Sequence, residues 1–162
     1  QTLFNNIPPH KMIILLTADV AFTPQLQTIR GATILGDAAS LVLLKKSGHQ
    51  HTVIDVLLHL DGRFAKGIYM DQTTQLLFQS MYTETLVDLI NKIISKNHLK
   101  LSDISCIFPH NVNTLSWKSV AKKLSISIDK IYLNNISEYG HCFGADPFIN
   151  LQHGIVEKRI VP

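Results

Sequence analysis

The stretch that decides the fold is residues 104–113 (ISCIFPHNVN), an apolar run that stops at a proline and is followed at once by His110. Short apolar runs bounded by such a break are typical of buried strands. A helix is predicted directly afterwards, over residues 115–124, because four residues recur there at helical spacing: Trp117, Val120, Ala121 and Leu124. Open α/β sheets place their chemistry at the carboxyl ends of strands, so His110 is the first candidate site residue.

Strand and helix patterns alternate along the rest of the chain. The apolar residues 12–18, 38–44 and 52–60 predict three strands, and residues 84–94 predict a helix with one apolar face. A short strand over residues 130–133 precedes a glycine-rich turn and a last helical segment through Leu151. This alternation predicts an α/β fold with a mainly parallel sheet.

Composition excludes several classes of protein. With 162 residues, 46% of them hydrophobic, the chain is long enough for one domain with a real core. The balance of 15 Lys+Arg against 12 Asp+Glu is too mild for a dedicated nucleic-acid binder. No apolar run approaches the ~20 residues that span a bilayer, and two cysteines make no disulfide framework. We therefore expect a soluble cytoplasmic protein that binds neither nucleic acid nor membrane.

Only one pair of residues has a spacing that could bind a metal. His49 and His51 lie two positions apart, but no third ligand is apparent nearby, and a glycine adjoins the pair. A structural or catalytic site normally needs three or four protein ligands. We therefore predict a solvent-exposed loop and no metal.

Four segments, taken in order, resemble one family. Residues 109–113 (PHNVN) resemble the His-Gln-Ala-Asn signature of the ketoacyl-acyl-carrier-protein synthase III family, and residues 121–134 continue in that family's register. Residues 35–40 (LGDAAS) are similar to its Phe-Gly-Asp-Gly-Ala-Gly element. Residues 139–146 (YGHCFGAD) lie where the family has Gly-Asn-Thr-Ser-Ala-Ala-Ser. The match runs from Met12 to Pro162.

The resemblance implies a thiolase-like fold, a five-layered α/β/α/β/α sandwich of two similar halves. Residues 1–48 then correspond to the end of the N-terminal half, and residues 49–162 to the C-terminal half without its closing strands. The first three βα units, which carry the nucleophile in the family, fall outside the sequence. Because such a piece leaves sheet edges unpaired, we expect it to be completed by other parts of a longer chain or by a second polypeptide.

The resemblance also implies a chemistry. In the family a cysteine thiolate takes an acyl group from a coenzyme A or carrier-protein thioester, and a His and an Asn donate hydrogen bonds to the developing oxyanion. His110 matches the His, whereas His141 stands at the Asn position. Cys142 precedes a predicted helix, where thiol pKa values are lowered, yet it matches a small residue beside the donor and not the nucleophile. No cofactor is implied beyond the thioester substrate.

Three interpretations of His141 remain open. A neutral imidazole is a hydrogen-bond donor, so His110 and His141 resemble the Cys-His-His arrangement of other condensing enzymes of this fold. Alternatively, His141 is a general base for acyl transfer to an alcohol or amine without decarboxylation. In the third interpretation the chain is an inactive subunit that stabilises or gates a catalytic partner. The family resemblance favours a homodimer or heterodimer of thiolase-fold chains, working in fatty-acid or specialised-metabolite synthesis.

Three further residues are candidates for substrate binding. Asn113 is either a plain helix N-cap or, as in the family, a residue that hydrogen-bonds the pantetheine arm or orients active-site water. Lys122 and Lys123 either form a solvated helix face or, as in the family, receive the acidic carrier protein or the phosphates of coenzyme A. Leu115 stands where members often carry an arginine, which predicts altered carrier docking.

Overall fold

The computed structural model describes residues 8, 10–21, 27–29, 32–46 and 51–160. Within them the strands are β1 (Met12–Asp19), β2 (Thr28–Ile29), β3 (Thr33–Ile34) and β4 (Ala38–Lys45). The α-helices are α1 (Gln72–Lys96), α2 (Thr114–Leu124), α3 (Ile136–Tyr139) and α4 (Asp146–Val156). Short 3₁₀ segments lie between them, at Gly62–Phe64, Gly67–Tyr69, Leu101–Asp103, Ile128–Lys130 and Phe143–Ala145. The predicted strands at 12–18 and 38–44 are confirmed, and so are the helices at 84–94 and 115–124.

The main sheet is an antiparallel pair. β1 and β4 align over eight residues each, from Met12 opposite Lys45 to Asp19 opposite Ala38. One face contacts the 3₁₀ segment Phe143–Ala145 and α4. The other, called here the outer sheet face, carries apolar side chains that are 58–62% exposed: Met12, Ile14, Leu16, Leu41 and Leu43. Side chains alternate between the two faces of a strand, so the β1–β4 pairing places these five apolar residues together on one face. That face is open to solvent among the described residues.

The prediction of a mainly parallel sheet is wrong for the described residues. Both ladders among them, β1 with β4 and β2 with β3, are antiparallel. Parallel pairing is limited to two isolated bridges, which join Leu35 to His141 and Ile107 to Ile131. An apolar run predicts a strand but not the direction of the strand that pairs with it. That direction depends on the path of the chain between the two strands.

Three predicted strands are therefore absent or reduced. Residues 52–60 form no ladder, and all their larger apolar side chains except that of Leu57 are exposed. A strand needs a hydrogen-bonding neighbour, and none of the described residues provides one there. Residues 104–108 and 130–133 shrink to one bridged pair, in which Ile107 N donates to Lys130 O at 2.7 Å and Tyr132 N donates to Ile107 O at 2.9 Å.

The core forms where α1 crosses α2. Its buried members come from α2 and the segment after it: Trp117, Val120, Ala121, Leu124 and Ile131. Leu86, Val87 and Ile90 of α1 pack against this cluster. Asn113 is the N-cap residue of α2, and its side chain accepts a hydrogen bond from Ser116 N at 2.8 Å, as the N-cap interpretation predicts. No helix among the described residues is both long and apolar enough to cross a membrane.

α4 packs unusually close to the residues before His110. A Cβ added to Gly154 would lie 2.4 Å from Cε1 of Phe108, so only glycine fits at this contact. The Phe108 ring also packs on the Tyr132 ring, with centroids 5.7 Å apart. The missing side chain therefore sets the distance between α4 and the segment that leads to His110.

Candidate functional site

His110 is fixed through both its backbone and its ring. Pro109 before it has no N–H, so ladder pairing stops there. The indole Nε1 of Trp117 on α2 donates to His110 O at 2.9 Å, and the two rings meet edge-on with centroids 5.3 Å apart. On its other side, the hydroxyl of Tyr82 on α1 is hydrogen-bonded to His110 Nε2. The imidazole is thereby held between the two central helices.

The environment of His110 favours the neutral imidazole. Burial lowers the pKa of His110, and the positive charge that His141 can carry lowers it further, while the Asp146 carboxylate opposes both effects. Burial also raises the pKa of the Tyr82 hydroxyl to about 12, so this group remains a phenol. Neither residue brings a charge into the site at neutral pH.

His141 lies beside His110, as predicted. The two ring centroids are 5.8 Å apart. The backbone of His141 pairs with the Leu35 segment: His141 N donates to Ile34 O at 2.8 Å, and Gly36 N donates to His141 O at 3.0 Å. The structure therefore brings together the two motifs that sequence reasoning matched separately, although the roles of the two histidines stay predictions.

Two glycines permit this backbone crossing. A Cβ on Gly36 would lie 2.2 Å from Tyr139 O and 2.8 Å from Cys142 Sγ. Gly140 has a φ of +68°, and a Cβ there would lie 2.6 Å from Ile34 O. Any larger residue at either position separates the two segments, so the position of His141 depends on both glycines.

Asp146 is the site residue that sequence reasoning missed. Its fully buried carboxylate accepts hydrogen bonds from Asn111 N and Cys142 N, both at 2.7 Å, and its Oδ2 lies 2.6 Å from His141 Nδ1. In the sequence it is an aspartate before a proline at a helix start, a common position for stabilising a helix N-terminus. Only the turn at Phe143–Ala145 brings it back onto His141.

Three buried amides extend this network. Asn150 Nδ2 donates to Pro109 O at 2.7 Å and to Asn111 Oδ1 at 2.9 Å, and Asn135 Nδ2 donates to Asn150 Oδ1 at 2.9 Å. Asn111 Nδ2 is buried without a hydrogen-bond partner among the described residues. The amides tie the His110 segment to α4, and so to Asp146.

The candidate substrate-binding residues differ in their surroundings, because Asn113 lines a cavity whereas the two lysines lie on the surface of α2. Asn113 caps α2 and also donates through Nδ2 to Ala32 O at 3.2 Å, so its amide is engaged at both ends. Lys123 forms an ion pair with Glu84 of α1, with Nζ and Oε1 2.5 Å apart, while Lys122 is exposed on α2. Their substrate-binding roles stay predictions.

Neither cysteine is activated. Cys142 is 2% exposed, and its thiol donates to Tyr139 O at 3.4 Å. Burial and the nearby carboxylates of Asp146 and Asp37 raise the pKa of Cys142, so the lowering expected at a helix start is wrong. Burial raises the pKa of Cys106 as well. His51 of the predicted loop pair is described, whereas His49 lies outside the described residues.

One cavity is lined by chain neighbours of the two histidines, whereas neither histidine is among its lining residues. Its volume is about 500 Å³, within the range of small-molecule sites. Its lining includes Asn111, which follows His110, and Gly140, which precedes His141. The remaining lining residues come from three places: the β2–β3 segment, the start of α2 with the loop before it, and α3.

Comparison with known proteins supports the family resemblance. Residues 94–162 match the family model described as 3-oxoacyl-[acyl-carrier-protein (ACP)] synthase III C terminal. The chain is 25% identical over 163 residues to β-ketoacyl-[acyl-carrier-protein] synthase III of Histophilus somni strain 2336, covering 93% of this chain and 51% of the relative. It is 32% identical over 100 residues to the protein of that name from Clostridium perfringens strain SM101, covering 62% of this chain and 30% of the relative.

Solved structures agree on the fold. ChlB3, titled an acyltransferase, superposes with a TM-score of 0.70 at 17% identity, covering 99% of this chain and 55% of that one. The 3-oxoacyl-(acyl carrier protein) synthase III of Pseudomonas aeruginosa PAO1 gives a TM-score of 0.64 at 17% identity, covering 93% and 52%. The described residues therefore form part of a thiolase-like fold. The chain spans 51% of the length of the Histophilus somni relative and 30% of the length of the Clostridium perfringens relative.

Proposed function

We propose that this chain, whose later part is similar to the C-terminal part of 3-oxoacyl-[acyl-carrier-protein] synthase III, is part of an acyltransferase of that type. It moves an acyl group from a coenzyme A or carrier-protein thioester through a cysteine that lies outside residues 1–162. The transfer proceeds with or without decarboxylative condensation. Names of relatives and the acyltransferase title of one structural neighbour support this class of reaction.

The observation that carries the proposal is the pair of imidazoles. His110 and His141 come from separate segments, yet their ring centroids are 5.8 Å apart, and a cavity is lined by the residues next to them in the chain, Asn111 and Gly140. Acyl transfer develops negative charge on one carbonyl oxygen and also moves a proton, so it needs a hydrogen-bonding group for the charge and a group that takes up or releases the proton. Burial keeps His110 neutral, so it can serve as a hydrogen-bonding group without a competing charge.

The nucleophile must come from elsewhere. A reactive cysteine needs a lowered pKa and access to substrate. Cys142 is buried and both thiols have a raised pKa, which is the opposite of what acyl transfer requires. We therefore assign no nucleophile to residues 1–162.

The partners and the domain division follow from the same proposal. The thioester of coenzyme A or of an acyl carrier protein is the acyl donor, and Asn113, Lys122 and Lys123 are proposed to contact its arm or phosphates. Residues 1–48 and 49–162 are proposed to belong to the two halves of the fold. The exposed outer sheet face supports completion by other thiolase-fold elements, within one chain or in a dimer.

One observation favours the alternative of an inactive subunit. The Tyr82 hydroxyl is hydrogen-bonded to Nε2 of His110, so this ring nitrogen is already engaged by a residue of the same chain. If Tyr82 stays in place in the assembled protein, the chain stabilises or gates a catalytic partner and does no chemistry itself.

The test is to assemble the chain with the cysteine-bearing part and to offer a series of acyl-coenzyme A thioesters. Intact-mass measurement detects an acyl group on the cysteine. His110→Ala should slow its formation by ~10²–10³, the usual loss for one oxyanion donor. His59→Ala is the matched control, because His59 is an exposed histidine far along the chain from the site motifs.

Three outcomes of this experiment bear on the proposal. Wild type and Tyr82→Phe both failing to form an acyl-enzyme would leave the inactive subunit as the function. Equal rates for His110→Ala and His59→Ala would remove His110 from the chemistry. Activation by Tyr82→Phe alone would show that Tyr82 gates the site.

A further inference from the structure

We infer that Asp146 is a positioning residue that fixes the proton of His141 on Nδ1, and that His141 Nε2 is thereby the general base for acyl transfer to a hydroxyl or amine acceptor. This inference rests on the proposed acyl-transfer function and chooses among the roles left open for His141. It names the class of acceptor, which the family resemblance leaves undecided.

The first step concerns the direction of one hydrogen bond. His141 Nδ1 lies 2.6 Å from Asp146 Oδ2, and that same oxygen already accepts from Asn111 N at 2.7 Å. The other oxygen accepts from Cys142 N at 2.7 Å. A carboxylate surrounded by donors is an acceptor only, so the bond to His141 requires the proton on Nδ1.

The second step concerns what remains for the other nitrogen. A neutral imidazole carries one N–H, and the partner of one nitrogen decides which tautomer is present. With the proton on Nδ1, Nε2 bears a lone pair and accepts hydrogen bonds. No hydrogen bond to Nε2 of His141 forms in the part of the chain that the structure describes. Neutral His141 is therefore a base and cannot donate to an oxyanion, as an asparagine in its place would.

The third step concerns rigidity. The Asp146 carboxylate is fully buried and is held by two backbone N–H groups, so it does not turn away from His141. A buried carboxylate on Nδ1 both orients an imidazole and stabilises the imidazolium that forms when Nε2 takes a proton. His141 is itself mostly buried, with 15% of its side chain exposed.

The proposed step is balanced as follows. The acceptor O–H or N–H gives its proton to His141 Nε2 while the acceptor oxygen or nitrogen attacks the carbonyl carbon of the acyl-cysteine. The tetrahedral intermediate then breaks its C–S bond, and the cysteine sulfur leaves and recovers the proton from the His141 imidazolium. The products are an ester or amide and the free cysteine, with no oxidant or reductant required. Decarboxylative condensation has no need of such a base, because loss of CO₂ itself generates the carbanion.

The first measurement reads the tautomer directly. With ¹⁵N-histidine in the assembled protein at mildly alkaline pH, long-range ¹⁵N–¹H correlations distinguish the Nδ1–H from the Nε2–H form. Loss of one signal in His141→Asn assigns the resonance. We expect Nδ1–H in the wild type and a shift toward Nε2–H in Asp146→Asn, with Asp88→Asn on the exposed face of α1 as the control. A wild-type Nε2–H tautomer overturns the inference, and this reading stands even if Asp146→Asn does not fold.

The second measurement separates the two half-reactions. In the assembled protein, His141→Asn should slow transfer onward from the acyl-enzyme to a series of alcohols and amines by ~10²–10⁴ more than it slows formation of the acyl-enzyme from an acyl-coenzyme A thioester. Asp146→Asn should lower the same second step. Unchanged onward transfer in His141→Asn overturns the base role. Absence of any acyl-enzyme in the wild type overturns the proposed function and the acceptor step together, while the tautomer measurement still decides what Asp146 does.

Discussion

Replacing Gly36 with alanine should separate the two segments that place His141. The new Cβ would start 2.2 Å from Tyr139 O, and this backbone atom must retreat until the contact reaches the 3.4 Å at which ordinary packing begins. A carbonyl in a paired segment cannot rotate aside as a side chain does. The whole turn before His141 therefore has to move.

The cost can be worked from the contacts. Overpacking of this kind costs about 1–3 kcal/mol, and each backbone hydrogen bond lost between Gly36, His141 and Ile34 costs about 1 kcal/mol more. We expect Gly36→Ala to lower the free energy of unfolding by about 2–4 kcal/mol. Gly62→Ala is the matched control, because a Cβ there meets nothing within 4 Å. That control should be neutral or stabilising by up to about 1 kcal/mol.

Two assays report the result in the assembled protein. Urea unfolding gives the difference in free energy between each variant and wild type. Hydrogen exchange of the His141 amide, which donates to Ile34 O, reports the local separation. If Gly36→Ala matches Gly62→Ala in both assays, the close crossing of these segments is wrong.

Three further predictions test other features. Because the outer sheet face is apolar and exposed, residues 1–162 should self-associate when expressed alone. The double variant Ile14→Lys, Leu43→Lys should scatter less light than wild type. A sharp cooperative melt of the isolated monomer would contradict this prediction. Because folding lowers the pKa of His110, the unfolded chain protonates this imidazole at a higher pH than the folded chain does. The contribution of His110 to the free energy of unfolding should therefore be fully present above about pH 6.5 and be lost as the pH falls through the pKa of the folded state. His110→Gln should make the free energy of unfolding, measured with urea, depend less steeply on pH, and an unchanged slope would exclude burial of a neutral ring. Lys123→Ala should change the free energy of unfolding by less than about 1 kcal/mol, since its ion pair with Glu84 is exposed, and a larger loss would show that the pair is more than a surface contact.

The sequence predicts local structure well where the cause is local. The α2 helix shows this, because its apolar spacing and the Asn113 cap lie within one stretch. Prediction from sequence fails for residues 52–60, because a strand depends on a hydrogen-bonding partner strand that the segment itself does not encode. The same limit explains the direction of the β1–β4 pair.

The candidate site divides in the same way. His110 and His141 could be placed together from their resemblance to a family, and the structure puts them together. Asp146 could not be assigned to His141, because an aspartate at a helix start has a sufficient local role as a helix-stabilising charge. Its contact with the imidazole arises from the turn between them, whose path depends on the packing of Gly36 and Cys142.

The close packing of Gly154 on Phe108 has a consequence at the other end of α4. Gly154 is eight residues after Asp146, a span of about 12 Å along a helix. A methyl group added at Gly154 would meet the Phe108 ring, so either the ring turns aside or α4 moves away and carries Asp146 with it. In the second case the 2.6 Å contact between Asp146 and His141 would lengthen although no atom near the imidazole had changed. The volume of one remote hydrophobic contact is therefore coupled, through α4, to the carboxylate that holds the His141 ring.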